Sequence, residues 1–344
     1  MVAVTLPSEL PIIQAPMAGG PSTTRLAAAV GRAGGFGFLA AGYLSPDQLV
    51  AQIDGARDRG ATPFGVNIFC PSTPADPDPV RRYGELLRPE ADRLGVALGE
   101  PRWDDDDYGT KVEIAPAAAV AMVSFTFGCP DPVVIDALHT GDSTVAVTVT
   151  SVAEARTAEA AGADLVVVQG TEAGGHQASF LDPDPNLRPL SSLLAEIRES
   201  VGVPMVGSGG IMSGRRVAAV LALGAVGVQL GTVFLCCDEA GTSSVVRRAL
   251  LDRVYPGTML TRAFSGRWAR GLANEFAVRY SDVAPEAYPE VHHLTRPLRA
   301  AATGAGDPST PNLWAGEGWA DVPTGSATAL VRRLGRELEV GTGG

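Results

Sequence analysis

The sequence predicts an α/β fold: a (β/α)8 TIM barrel with a small helical subdomain inserted after the eighth strand. Short, continuously apolar runs bounded by Gly or Pro alternate with longer Ala-rich segments of helical period. A junction also recurs, in RAGGFGFLAAG, EAAGADLVVVQG and LALGAVGVQLG, where an Ala-rich helix ends in Ala-Gly or Leu-Gly just before a strand. Strands apolar on both faces suit a parallel sheet covered on both sides, and their alternation with helices points to repeated βα units.

The strands are expected at residues 12–17, 36–42, 64–70, 122–128, 144–150, 164–170, 204–210 and 227–235. Helices are expected at 22–34, 45–60, 151–162, 191–202 and 213–224, each opening near Ser and closing at Gly, the usual cap asymmetry. Strand counting does not prove closure, so a doubly wound open sheet stands as the structural alternative. Two regions fit the repeat poorly. Residues 71–121 hold a polar helix and the acidic run 104–107, which reads as a solvated loop. Residues 238–311 carry Arg-containing helices and a Pro/Gly/Thr-rich stretch. The expected organisation is therefore a barrel over 1–237, a capping or substrate subdomain over 238–311, and a return to the barrel with a closing helix over 312–344.

Composition narrows the function. The formal net charge is −11 and Lys111 is the only lysine, which argues against nucleic-acid and membrane-surface binding. The four cysteines show no metal-type spacing and read as reduced thiols. No apolar stretch is long enough to span a bilayer and no secretory pattern opens the chain, so a cytoplasmic location is expected.

In such a barrel, ligands bind at the C-terminal ends of the strands. The seventh strand ends in GSGGIMSG and the eighth in VQLGT, turns that allow close backbone approach to an anion, with a helix N-terminus following the first. The same glycines would also suit any tight βα turn. The sixth strand runs into QGTEAGGHQAS, which sets His176 on a flexible turn at the mouth, where an imidazole suits removal of a carbon-bound proton. A lone histidine is more often structural, the reading given to His139, His292 and His293. Asn67, Gln169 and Gln229 place three amides at one end of the barrel, either a rim for a heterocycle or partners for loop backbone. Met17, Phe125 and Phe127 offer an apolar wall, while Pro16 reshapes the chain leaving the first strand.

Together QAPMAGG (14–20), AGGFGFLAAGYLSP (33–46), GVNIF (65–69), SFTFGCP (124–130), QGTEAGGH (169–176), GSGGI (207–211) and QLGT (229–232) resemble the nitronate monooxygenases of the histidine-base class. The resemblance runs from residue 11 to about 320 with the motifs in order. It implies FMN bound through Pro16, Met17, Asn67, Gln169, Gly174 and Gly175, with Gly209, Gly210, Gln229, Leu230, Gly231 and Thr232 completing the set. It implies His176 as catalytic base, Ser124 and Phe125 beside the substrate, and no metal. The implied reaction is one-electron oxidation of an alkyl nitronate, with O2 as co-substrate and a carbonyl compound and nitrite as products, by a monomer or homodimer. Two departures stand out: Gln177-Ala178 follow the histidine, and Glu317 in LWAGEGWA occupies a position where glutamine is expected. The alternatives are a flavin-dependent enoyl-acyl carrier protein reductase using NAD(P)H and, from another class, a catalytically silent flavin- or phosphate-binding protein. A purine-nucleotide dehydrogenase-like barrel would need a cysteine after the sixth strand, and none is there.

Overall fold

A computed structural model describes residues 6–182 and 184–342. Its barrel strands are β1 (Ile12–Gln14), β2 (Gly37–Ala40), β3 (Phe64–Phe69), β4 (Met122–Thr126), β5 (Thr144–Val149), β6 (Leu165–Gln169), β8 (Met205–Ser208) and β9 (Gly227–Leu230). They pair in parallel in the order β1-β9-β8-β6-β5-β4-β3-β2. A parallel bridge between Ile13 and Phe36 joins the two ends, so the sheet closes and the open-sheet alternative falls. All eight expected strands are present; each is shorter than its apolar run because the run continues into the turn carrying the site.

The barrel-side helices α1 (Thr24–Gly31), α2 (Pro46–Asp58), α6 (Val152–Ala161), α7 (Leu190–Arg198) and α8 (Gly214–Ala222) lie where caps and period place them. Ser45, Ser151 and Ser213 each accept an N–H of the first turn through the side chain. Two further helices, α4 (Tyr108–Ala117) and α5 (Pro132–Thr140), flank β4, and α12 (Ala327–Thr342) packs on α8 and α1 to close the ring.

Inside the barrel, alternate side chains form a bottom plug of Ile13, Phe36, Phe38, Met122, Leu165, Val167 and Val206. Gly65 belongs to that plug by necessity, since a Cβ there would lie 2.4 Å from the Phe38 ring. Above the plug the inward positions turn polar. Register places Asn67 beside Ser124, and Gln169 beside Ser208 beside Gln229, so five strands deliver polar groups to the mouth.

Over that mouth stands a second core. Helix α3 (Pro77–Leu94), from the long 71–121 segment, contributes Val80, Tyr83 and Leu87. They pack against Phe264, Phe276 of α10 (Glu275–Tyr280), and Val291 and Leu298 of α11 (Glu290–Ala305). Helix α9 (Ser244–Leu251) packs separately with Leu235, Tyr255 and Leu272. The 238–311 segment is not purely helical. It adds β10 (Thr258–Thr261) and β11 (Ala269–Leu272), antiparallel to each other, and β11 pairs with β7 (Gly175–His176) from the loop after β6. No helix among the described residues is long and apolar enough to cross a membrane.

Candidate active site

The mouth encloses a cavity of about 410 Å³, within the usual range for small-molecule sites. Every residue expected to touch a cofactor lines it, from Pro16 and Met17 through Asn67 and Gln169 to the turns after β8 and β9. Gln14, fully buried, shapes the first turn: its Oε1 accepts the Phe38 N–H at 3.0 Å and its Nε2 donates to Ser22 Oγ at 3.0 Å. Ser22 Oγ in turn accepts the Met17 N–H at 2.8 Å.

The amide rim divides by function. Asn67 Nδ2 donates to Ser124 Oγ (2.9 Å) and Thr126 Oγ1 (3.0 Å), which leaves Oδ1 without a partner among the described residues. Gln169 is committed to its own loop, with Nε2 donating to the His176 carbonyl at 3.0 Å and Oε1 accepting the Ala178 N–H at 2.8 Å. Gln229, on the cavity wall, makes no side-chain hydrogen bond among the described residues.

At the other end lie the glycine turns. Gly209 (φ 132) and Gly210 (φ 64) hold conformations that disfavour side chains, and a Cβ on Gly210 would lie 3.1 Å from Glu172 Cβ. Among the described residues, the N–H groups of Gly210, Ile211 and Met212 donate to no protein acceptor. Nearby, Gly231 leads into a 3-10 turn, Thr232–Phe234, whose leading N–H groups are open by construction. The helix after GSGG is not part of this cradle. Its Gly214 N–H donates at 2.7 Å to the Glu337 carboxylate of α12, so the chain supplies its own anion there. The open N–H groups are therefore those of the two turns, while that of Gly214 is already taken.

His176 lies not on a flexible turn but on strand β7, with Gln177 N–H donating to the Trp268 carbonyl at 2.8 Å. Its Nε2 is 2.7 Å from Ser265 Oγ, and Phe127, Tyr288 and Trp314 surround the ring at centroid distances of 5.7, 5.9 and 5.3 Å. Burial pushes its pKa down to about 3, with help from the Arg267 and Arg299 guanidiniums. The imidazole is thus neutral across the physiological range. Ser265 Oγ lies 3.4 Å from the Arg267 carbonyl; a serine proton aimed there would make Oγ the acceptor of Nε2–H and leave the lone pair on Nδ1.

Arg299, on α11, brings positive charge to the cavity wall. Its guanidinium donates to Thr295 Oγ1 (3.1 Å), Asn312 Oδ1 (3.0 Å) and the His292 carbonyl (2.9 Å), but to no carboxylate among the described residues. Burial lowers its pKa to about 10, so it stays charged at neutral pH. Arg267 lies over the Phe127 ring at 4.2 Å and donates to the Ser179 carbonyl.

Ser124 and Phe125 do not reach the cavity. Ser124 points inward at the Asn67 level and is consumed in holding that amide. Phe125, next along the strand, points outward into the helix-facing core beside Ile68 and Ile135. Phe127 does line the cavity, because the strand ends at Thr126 and φ of 75 at Phe127 breaks the alternation. Gly174 has a packing requirement as well: a Cβ there would lie 2.4 Å from the Gly316 nitrogen. The departures also find places. Gln177 pairs through both amide atoms with the Asn186 backbone, and Glu317 turns away from the cavity to Arg270 at 3.2 Å. His292, read as structural, is buried yet lines the cavity, and Tyr43, Ser265, Arg299, Asn312 and Trp314 were not anticipated. Only the two-turn spacing of His292 and Arg299 on one helix face hinted at them.

Fold and site define an α/β-barrel with an enclosed cavity, a turn of open backbone N–H groups and a neutral histidine under a capping unit. The chain belongs to the nitronate monooxygenase family, whose sequence profile matches residues 5–337, and it is accordingly an oxidoreductase. A probable nitronate monooxygenase of Staphylococcus saprophyticus is 37% identical over 336 residues, covering 95% of this chain and 94% of that protein. A crystal structure of nitroalkane oxidase from Streptomyces ansochromogenes superposes with a TM-score of 0.95 at 46% identity, covering 97% of each chain. FabK from Thermotoga maritima is more distant, with a TM-score of 0.76 at 26% identity over 97% of this chain and 94% of that one.

Proposed function

We propose that this protein is a cytoplasmic, FMN-dependent nitronate monooxygenase that uses O2 to convert alkyl nitronates to carbonyl compounds and nitrite. The observation that carries the reading is a cavity holding both a phosphate-type backbone cradle and, near a neutral histidine, a guanidinium with no carboxylate partner. The residues fit FMN. The unpartnered N–H groups of Gly210, Ile211 and Met212 suit its phosphate, while Gln229 and Asn67 Oδ1 offer hydrogen bonds to a polar ring edge. Bound there, FMN supplies the one-electron oxidant and, once reduced, the reaction with O2.

The chain's own residues do the rest. Arg299, assisted at longer range by Arg267, favours an anionic substrate over a neutral one. Phe127, Tyr288 and Trp314 around His176 exclude water. With a preformed nitronate no proton need be removed, and His176 orients the anion. With a neutral nitroalkane, the proton on the carbon next to the nitro group passes to Nδ1 of His176, and the resulting anion is stabilised by Arg299. Ser265 holds the required tautomer, so Ser265→Ala is expected to slow nitroalkane turnover about tenfold while sparing nitronates. Equal losses on both would show that the serine does not set the tautomer.

The first experiment is aerobic turnover with ethyl nitronate and propionate 3-nitronate, following O2 uptake and nitrite. NADH with an enoyl thioester is run in parallel. O2 consumption with nitrite release and no NADH oxidation is expected. NADH-driven reduction of the thioester would install the enoyl reductase instead, and a protein that takes up no FMN would sink both. Gly210→Val should weaken FMN retention at least tenfold, because the side chain is strained at φ 64 and crowds Glu172. Retained yellow colour after dialysis would remove the cradle from the phosphate site.

A further inference from the structure

The chain's only lysine is fully buried on α4, with Lys111 Nζ 2.8 Å from Asp106 Oδ2. A buried ammonium is costly unless paired, and a paired one does not by itself stabilise the fold, so its retention calls for a structural task. The other carboxylate oxygen shows what that task is: Asp106 Oδ1 accepts the Tyr43 backbone N–H at 3.0 Å. Tyr43 stands just beyond β2 with φ of 68, a left-handed conformation that is uncommon for a bulky residue and needs outside support.

That conformation fixes where the phenol ring goes. It stacks on His292 at a centroid distance of 4.3 Å with planes 5° apart, and meets Phe69 edge-on at 5.6 Å. The Tyr288 hydroxyl donates to the Tyr43 hydroxyl at 3.3 Å. Tyr43, Phe69 and His292 line the main cavity and also a second cavity of about 460 Å³, whose far wall is the acidic run 104–107. The stacked pair therefore partitions the two spaces beside Arg299. The acidic run is more than a solvated loop, since Asp106 is tied to Lys111 and Asp104 lies 2.8 Å from His293.

We propose that Lys111 and Asp106 are positioning residues that clamp the Tyr43 backbone, so that the Tyr43–His292 partition closes the substrate side of the cavity and sets how tightly the anion is held. The proposal rests on reading that cavity as the nitronate site. Without the clamp, the ring is released, the two cavities merge, and bound substrate meets water.

The test is a double-mutant cycle on full-length, flavin-loaded protein. Asp106→Ala removes the acceptor, while Asp106→Asn keeps an oxygen for the Tyr43 N–H. Asp106→Ala is expected to raise KM for ethyl nitronate about fivefold or more with kcat within twofold, and Asp106→Asn to restore near-native KM. In a Tyr43→Ala background, Asp106→Ala should add no more than twofold, because its effect runs through Tyr43. Should Asp106→Ala not fold, Lys111→Met takes its place in the cycle. Hydrogen exchange gives a readout independent of activity, with Tyr43 amide protection lost in Asp106→Ala and kept in Asp106→Asn. Retained protection, or a KM effect that persists in full in the Tyr43→Ala background, overturns the clamp. A native protein that turns over no nitronate, with the exchange result as expected, overturns the functional reading and leaves the clamp standing.

Discussion

Replacing His176 with Asn is expected to slow turnover of neutral nitroalkanes by about 10²–10⁴-fold, and to cost preformed nitronates no more than about tenfold. The asymmetry follows from protonation state. Burial and the two arginines hold the imidazole pKa down to about 3, so it is a free base throughout the range in which the protein would be assayed. A nitroalkane needs that base; a nitronate has already lost the proton. The sign of the pH dependence also follows. Because the folded-state pKa lies below the ordinary 6.5, protonation of His176 should not impose an acid limb on nitronate kcat/KM between about pH 5 and 9. An inflection near 6.5 that disappears in His176→Asn would overturn the picture of a desolvated neutral ring. Equal losses on both substrates would instead give His176 a role common to both reactions.

The second large effect is expected at Arg299. Arg299→Met should raise KM for nitronates about 100-fold, equivalent to roughly 2.7 kcal/mol, which matches the loss of a charge-assisted contact in a low-dielectric cavity. Thermal stability should move little by comparison. The hydrogen bonds to Thr295, Asn312 and His292 are lost, but so is the cost of keeping a guanidinium away from bulk water without a carboxylate. The variant carries its own internal check, since removing one of the two cations that depress the His176 pKa should let it rise. Unchanged KM together with a large drop in Tm would make Arg299 a structural residue of α11.

Much of this was legible in the chain, and the limits have physical causes. The barrel could be read because its strands are buried on both faces and its helices are bracketed by Ser and Gly. The turns after β8 and β9 and the loop after β6 stood out because glycine density and isolated polar residues interrupt apolar runs. The same continuous apolarity hides which face each residue takes, so Phe125 was assigned inward although it packs outward; the inward ring is Phe127, turned by a left-handed residue beyond the strand. β7 is only two residues long and has no period to detect, so a strand looked like a flexible loop. Arg299 and Tyr43 escaped because their place on the cavity wall depends on how α11 and the turn after β2 cross the mouth, a tertiary fact with no local signature. The Gly214 N–H was offered to a ligand only because Glu337 lies 123 positions away.

The pairing of β7 with β11 bears on how such a protein can diverge. The backbone of the proposed base is hydrogen-bonded into the capping unit rather than carried by the barrel alone. Loops around α9 and α10 can gain or lose residues at little cost, but an insertion within β11 would slip its register by one and exchange the faces presented opposite His176. Descendants of this scaffold are thus free to remodel the periphery of the cap and are held to one alignment along a four-residue strand that itself lends no side chain to the cavity wall.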